Sequence, residues 1–396
     1  MAPLRLEVLG SIRDVPAREW DRLWAHEPVA ATPFLSHAWL LALEESGSAA
    51  AASGWTPRHL LLRRAGRLVA AAPGYAKADS DGDFSRDWEW AAQSERAGIA
   101  YYPKLVLGVP FTPVTGRRLL AAAGEPREAL ARALLDGARQ LCVAEGLRGL
   151  QVLFPRADEA GELEAAGLAL RLDFQWHWHN AGYREVEEFL ARFGSHRRNA
   201  IRRERAAPER QGIVLRTVRG SELAADPGRW GRAFHELHRA AVARMPWGRS
   251  FLAPGFFERA TAALPGAVEL VEARREGRLV AAAFNLSSAE RLYGRYWGCS
   301  EEHPFLHFNV CLYHSVEDCI RRGLQVFEGG AGGDHKLSRG FEPAETWSAH
   351  LYLDRRLDRP VRRHLEEERA ERRRALERWR AEAPVLKPAA SAPTTG

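Results

Sequence analysis

Three stretches carry side chains whose types and spacing suit chemistry. In Phe174-Gln175-Trp176-His177-Trp178-His179-Asn180, strict alternation puts Gln175, His177 and His179 on one face of a strand and the two tryptophans on the other. Either imidazole titrates near neutrality and suits proton transfer, so His177 and His179 are candidate acid–base groups facing a ligand. No third ligand follows at a zinc spacing, and no metal site is expected.

The second stretch is Gly329-Gly330-Ala331-Gly332-Gly333, followed by His335, Lys336 and Arg339. A backbone this rich in glycine can pass close to a ligand, and the basic residues after it can meet a phosphate or carboxylate. The lysine is preceded by Asp-His, so this is not a P-loop, and the glycine spacing is not that of a dinucleotide fingerprint.

The third begins at Ser195, which can cap a helix on which Arg198, Arg202 and Arg205 stack at spacings of four and three. Only Glu204 is interleaved. Such a face either sits in solvent or binds an anion, nucleic acid or nucleotide phosphate, through Arg198 and Arg202.

The elements that must position these groups recur. Gly66-Arg67-Leu68-Val69-Ala70-Ala71-Ala72 returns unchanged as Gly277-Arg278-Leu279-Val280-Ala281-Ala282-Ala283, each time after a strand-like run. Both copies read as β-hairpins whose glycine takes a turn position with φ > 0. Gly149-Leu150-Gln151-Val152 and Gly323-Leu324-Gln325-Val326 follow in the same order, each after a helical pattern. Two matches in one order indicate an internal duplication. The first copy is longer between its matches, and its extra aromatic segment, with Phe84, Trp88, Trp90, Tyr101, Tyr102 and Phe111, is expected to wall a pocket or fill a core. The expected division is a first domain over 1–170, a second over 171–353, a charged helix over 354–383 and a flexible tail over 384–396.

With 46% hydrophobic and 27% charged residues the chain falls in neither the disordered nor the membrane class. No apolar run reaches the roughly 20 residues of a membrane span. The N-terminus alternates as a strand with a charge inside it and is not a signal peptide, so a cytoplasmic location is expected. Four cysteines without a C-x-x-C pair read as buried free thiols.

The order helix, hairpin, strand, helix, strand in each repeat resembles the acyltransferase fold of the GNAT superfamily, and two copies in one chain resemble its bacterial FemAB-like branch. The segments carrying the resemblance include Pro33-Phe34-Leu35-Ser36-His37, Pro110-Phe111-Thr112-Pro113-Val114, Gln175 to Asn180, Tyr293-Gly294-Arg295-Tyr296-Trp297-Gly298 and His335-Lys336-Leu337-Ser338-Arg339-Gly340. They cover Pro33 to His350 and are similar to a FemAB-like family of peptidoglycan biosynthesis and recognition.

The resemblance implies an α/β (α+β) tandem GNAT-like fold, each domain a mixed sheet flanked by helices. It implies an N-acyltransferase in which an amine, possibly on a cell-wall precursor, attacks an activated acyl group. The co-substrate would be acyl-CoA or aminoacyl-tRNA, with no permanently bound cofactor; the oligomeric state is left open. The cleft would lie where the strand after the hairpin parts from the strand after the helix, lined by Tyr296 and Trp297, with His307 beyond them. Glu328, ending the second strand, would be the general base; His335 would share that role, with His177 and His179 as the rival centre. Arg198, Arg202, Lys336 and Arg339 would bind anionic groups. The loop Ser300 to Phe308 departs from the pattern of CoA users, having two carboxylates and no glycine where backbone N–H groups should hold a pyrophosphate. The alternative is a non-catalytic protein of the same fold that recognises an anionic cell-wall or nucleotide ligand.

Overall fold

A computed structural model describes residues 2–26, 32–245, 248–382 and 386–387. The chain forms two compact units: Met1–Asp173 with Ser250–Leu264 and Glu345–Arg372, and Phe174–Arg249 with Pro265–Ala344 and Arg373–Gly396.

In the first unit the repeated heptapeptide forms the strand Arg67–Ala72, paired antiparallel with His59–Arg64. Ala65 and Gly66 both lie at positive φ (48° and 79°), the two-residue turn whose twist matches that of the strands it joins. The register skips Val69: Leu62 faces Ala70, and Arg63 faces Leu68. Lys104–Leu107 then runs parallel to Gly149–Leu153 after the helix Arg127–Ala144, whose Leu130, Leu134 and Leu141 are buried.

The second unit repeats this construction. Val268–Arg275 pairs with Arg278–Ser287 through Glu276 and Gly277 at φ 52° and 77°, and here the register skips Val280. The strand Arg291–Cys299 follows, then a helix from Leu306 to Arg322, then Val326–Glu328, which is parallel to Arg291–Tyr293 and antiparallel to His177–His179. Trp176, Trp178, Leu292 and Phe327 share one core with Phe189, Phe193, Leu312 and Val316. Alternation therefore turns His177 and Glu328 to the other face.

Several expectations need correction. Residues 250–264 and 345–353 belong with the first unit: Phe256 meets Trp39 edge-on at 5.1 Å, and Ser348–Tyr352 pairs with Gly149–Leu153. The second sequence match is out of structural register. The helices before the two strands end on Gly146 and Gly323, at φ 66° and 69°, and the next N–H groups return to Cys142 O and Cys319 O. That aligns Gly146 with Gly323, so Gln151 corresponds to Glu328 and Lys104 to Arg291. Of the expected flexible tail, Leu386 packs on the second unit's core and the Lys387 N–H donates to Arg192 O at 2.8 Å; residues 384–385 and 388–396 lie outside the described residues.

Candidate functional site

The two parallel strands of the second unit pair only at Arg291–Val326, Leu292–Phe327 and Tyr293–Glu328. Beyond Tyr293 they part. The strand Arg291–Cys299 also carries a bulge on its other edge, where Phe284 faces Tyr296 and Asn285 faces Gly294, leaving Arg295 out of register. Bulges of this kind commonly re-aim backbone groups beside active sites.

A cavity of about 400 Å³ opens where the strands part. Tyr296, Trp297, His307, His335 and Lys336 all line it, together with the glycine turn at Gly329 to Gly333. Cys311 and Leu312 reach it from a π-turn at Asn309–Tyr313, a widening of the helix often found at functional sites. The Lys336 ammonium donates to Gly332 O at 2.7 Å, and burial brings its pKa down to about 8. Burial, then the neighbouring His335, Lys336 and Arg339 charges, hold His307 down to about 4. The cavity thus sets a cation that can shed its proton near the neutral His307 ring.

Glu328 and His177 sit on the opposite face of the strand from Phe327, which lines the cavity. The Glu328 Oε1 accepts from Arg291 Nη1 at 3.0 Å. Its Oε2 is 3.9 Å from His177 Nε2, and among the described residues neither of these atoms has a hydrogen-bond partner. Burial raises the carboxyl to about 7 against the opposing pull of Arg291. For His177 burial, then Arg291 and His179, depress the ring to about 3. His179, at the exposed end of its strand, is lowered chiefly by burial. The dyad is therefore a carboxyl poised at neutral pH beside a neutral imidazole.

The first unit shows the same frame without the acid. Gln151 faces His350 as Glu328 faces His177, and Lys104 stands where Arg291 does. Gln151 Nε2 donates to Asp87 Oδ2 at 2.8 Å, and Lys104 is held by Asp83 and Asp87 at 2.8 and 2.7 Å. Burial opposes these charges, but their mutual attraction keeps Asp87 well below the usual carboxylate range and Lys104 above its own. Arg118 is buried against the strand end, its Nε donating to Leu153 O at 2.7 Å.

Other candidate residues stand elsewhere. Arg202 is paired with Glu187 and Arg205 with Glu317, while Arg198 Nη1 reaches Phe193 O at 3.5 Å. The carboxylates that neutralise this helix come from other elements, which its own sequence does not show. Arg339, expected to meet an acceptor's anion, is instead buried against Glu204 at 2.6 Å and stacked 3.7 Å over Phe308. Arg291 carries no signal in the sequence: only strand register and its hydrogen bond tie it to Glu328. Among the described residues no cluster of His, Cys, Asp or Glu could hold a metal ion, and no helix is long and apolar enough to cross a membrane.

A family model described as FemAB-like, peptidoglycan biosynthesis/recognition, matches residues 11–387. No curated protein sequence matches the chain. Among solved structures, FemX is similar at 13% identity over 88% of this chain and 98% of its own, with a TM-score of 0.53. The C-terminal DUF2156 domain of a putative lysylphosphatidylglycerol synthetase from Agrobacterium fabrum is 9% identical over 84% and 92%, at 0.51. A tandem GNAT protein from the clavulanic acid biosynthesis pathway is 15% identical over 88% and 98%, at 0.46. The fold is the tandem GNAT-like one that the order of elements implied.

Proposed function

Because the chain belongs to the FemAB-like family of peptidoglycan biosynthesis and recognition, we propose that it is an N-acyltransferase whose chemistry resides in the second unit. The observation that carries this reading is the parted strand pair, with a cavity on one face and the Glu328 carboxyl at its last paired residue.

In this reading the acyl donor lies in the cavity, its anionic part against Lys336 and His335. The acceptor amine approaches from the face of Glu328. Nitrogen attacks the acyl carbon, the new N–C bond forms, and the carbonyl oxygen becomes an oxyanion held by strand N–H groups beyond Tyr293. Ionised Glu328 takes the amine proton, and collapse of the intermediate breaks the bond to the donor's leaving group. His177, neutral at working pH, supports the carboxylate without competing for the proton.

The residues before the helix do not fit CoA. Its first turn follows Phe305 at φ 63° with no capping side chain, and Glu301 pairs with Arg278 and His303 just ahead of it. A pyrophosphate would meet carboxylates there, so an aminoacyl-tRNA is the donor to test first, with an amine on a cell-wall precursor as acceptor. The experiment is single-turnover transfer from charged tRNAs and acyl-CoAs to a panel of cell-wall amines. Glu328→Gln should lose about 10² to 10⁴ in rate. Ligand binding with no transfer by the wild type would overturn the enzymatic reading in favour of recognition alone.

A further inference from the structure

The segment Asp83 to Trp88 of the first unit is built inside out. Asp83, Ser85 and Asp87 are buried, whereas Phe84 and Trp88 are 39% and 53% exposed and Arg86 between them is exposed as well. A loop left to the hydrophobic effect would do the reverse. Here the carboxylates are drawn inward by the Lys104 ammonium, with Ser80 Oγ and Tyr101 Oη completing the network at 2.9 Å from Lys104 and 2.5 Å from Asp87. Arg171, itself held by both Glu368 oxygens at 2.8 and 2.9 Å, donates to Ser85 O at 2.5 Å and fixes the backbone.

This clamping maintains a strained conformation. Phe84 and Arg86 lie at φ 60° and 53°, the left-handed region that non-glycine residues seldom enter. Strain held by so many contacts is a sign of a role for what the loop presents. What it presents is aromatic, basic, aromatic: both acids of the segment are turned in onto Lys104. Arg86 shares its charge with Asp173 at 3.3 Å but remains half exposed.

We propose that Phe84, Arg86 and Trp88 form a docking element for an anionic lipid surface. Tryptophan and phenylalanine favour the boundary between headgroups and acyl chains, and an arginine beside them meets lipid phosphates. The net charge of +6 acts in the same direction. A protein partner is the poorer fit, because a stable interface needs about 800 Å² on each side. The residues that continue this surface on the helix Trp88–Arg96 are charged or polar: Glu89, Gln93, Glu95 and Arg96 are exposed.

The test is co-sedimentation of the full chain with phosphatidylcholine vesicles containing about 30% phosphatidylglycerol, and with phosphatidylcholine alone. The wild type should bind the anionic vesicles. Binding should weaken about tenfold in the double variant Phe84→Ala with Trp88→Ala, and about threefold in Arg86→Gln with a shallower salt dependence. Val214→Ala, at a still more exposed apolar site in the second unit, should bind as wild type. Unchanged melting temperatures would show that folding is intact; if the double variant melts early, Arg86→Gln with its salt dependence decides alone. No binding by the wild type would overturn the proposal, as would equal binding by the variants. So would a concentration-dependent dimer that the double variant abolishes without vesicle binding, which would assign the patch to a second copy of the chain.

Discussion

Glu328 and His177 face each other across an antiparallel strand pair, Oε2 to Nε2 at 3.9 Å, and the first unit repeats the relationship with Gln151 facing His350. Both copies carry an imidazole and a cation on the neighbouring strand, and the carboxyl opposite the imidazole stands in the second alone. Both imidazoles are held down to about 3, chiefly by burial. The position opposite therefore decides whether the frame titrates near neutrality.

Stability should show the Glu328 carboxyl directly. Its folded pKa of about 7 lies above the ordinary 4.5, so the folded state favours the protonated form. That contribution is complete below pH 4.5 and is lost as pH rises through 7, by roughly 3 kcal/mol. His177 acts in the opposite sense, its contribution being lost as pH falls from 6.5 towards 3. Denaturant melts of Glu328→Gln from pH 5 to 8 should show the variant gaining on the wild type as pH rises; parallel curves would refute the raised pKa.

Replacing Arg291 by Leu removes the cation that lowers this carboxyl. The rising limb of the pH–rate profile should move above pH 7. Stability should fall by about 3–5 kcal/mol at pH 8, where an ionised Glu328 would be buried without its partner, and by much less at pH 5. A uniform loss across pH would mean that Arg291 acts through packing.

In the first unit, Gln151→Glu would restore the acid of the other copy but place it against Asp87, to which the amide now donates. We expect a loss of about 2–3 kcal/mol in stability and no second catalytic centre. A stable variant with increased transfer would contradict the assignment of chemistry to the second unit.

The hairpins were legible because a two-residue turn with φ > 0 needs a glycine, and the heptapeptide carries its bulge with it: Val69 and Val280 are skipped alike. The Gly149 and Gly323 match misled because Gly323 closes a helix while Gly149 opens a strand. Structural equivalence followed the cap, at Gly146, not the letters. Part of the cavity lining was likewise legible, since Gly294 to Trp297 and Phe327 to Lys336 are stretches that carry glycines, whereas Ala283, Asn285, Cys311 and Leu312 reach it from other elements. The basic helix was not. Glu187 and Glu317, which pair with Arg202 and Arg205, are distant in sequence, and helical spacing reports only charges on the helix itself.

That difference separates two groups of cations by experiment. Lys336 is buried at the cavity wall, its ammonium tied among the described residues to Gly332 O, and a pKa of about 8 leaves it mostly charged at neutral pH. If it holds the anionic part of the donor, Lys336→Met should raise the donor KM about tenfold, the loss of one charge-assisted hydrogen bond, and leave kcat nearly unchanged. The wild type should lose kcat/KM above pH 8, where the ammonium loses its proton, and Lys336→Met should remove that fall. Arg202 is half exposed and already paired with Glu187, and neither it nor Arg198 lines the cavity. The double variant Arg198→Ala with Arg202→Ala should therefore change the KM for a short donor by less than about twofold, with stability within about 1 kcal/mol. Steady-state kinetics with a minimal aminoacyl ester decides between them. An unchanged KM in Lys336→Met together with a large rise in the arginine variant would move the anion site from the glycine turn to the basic helix.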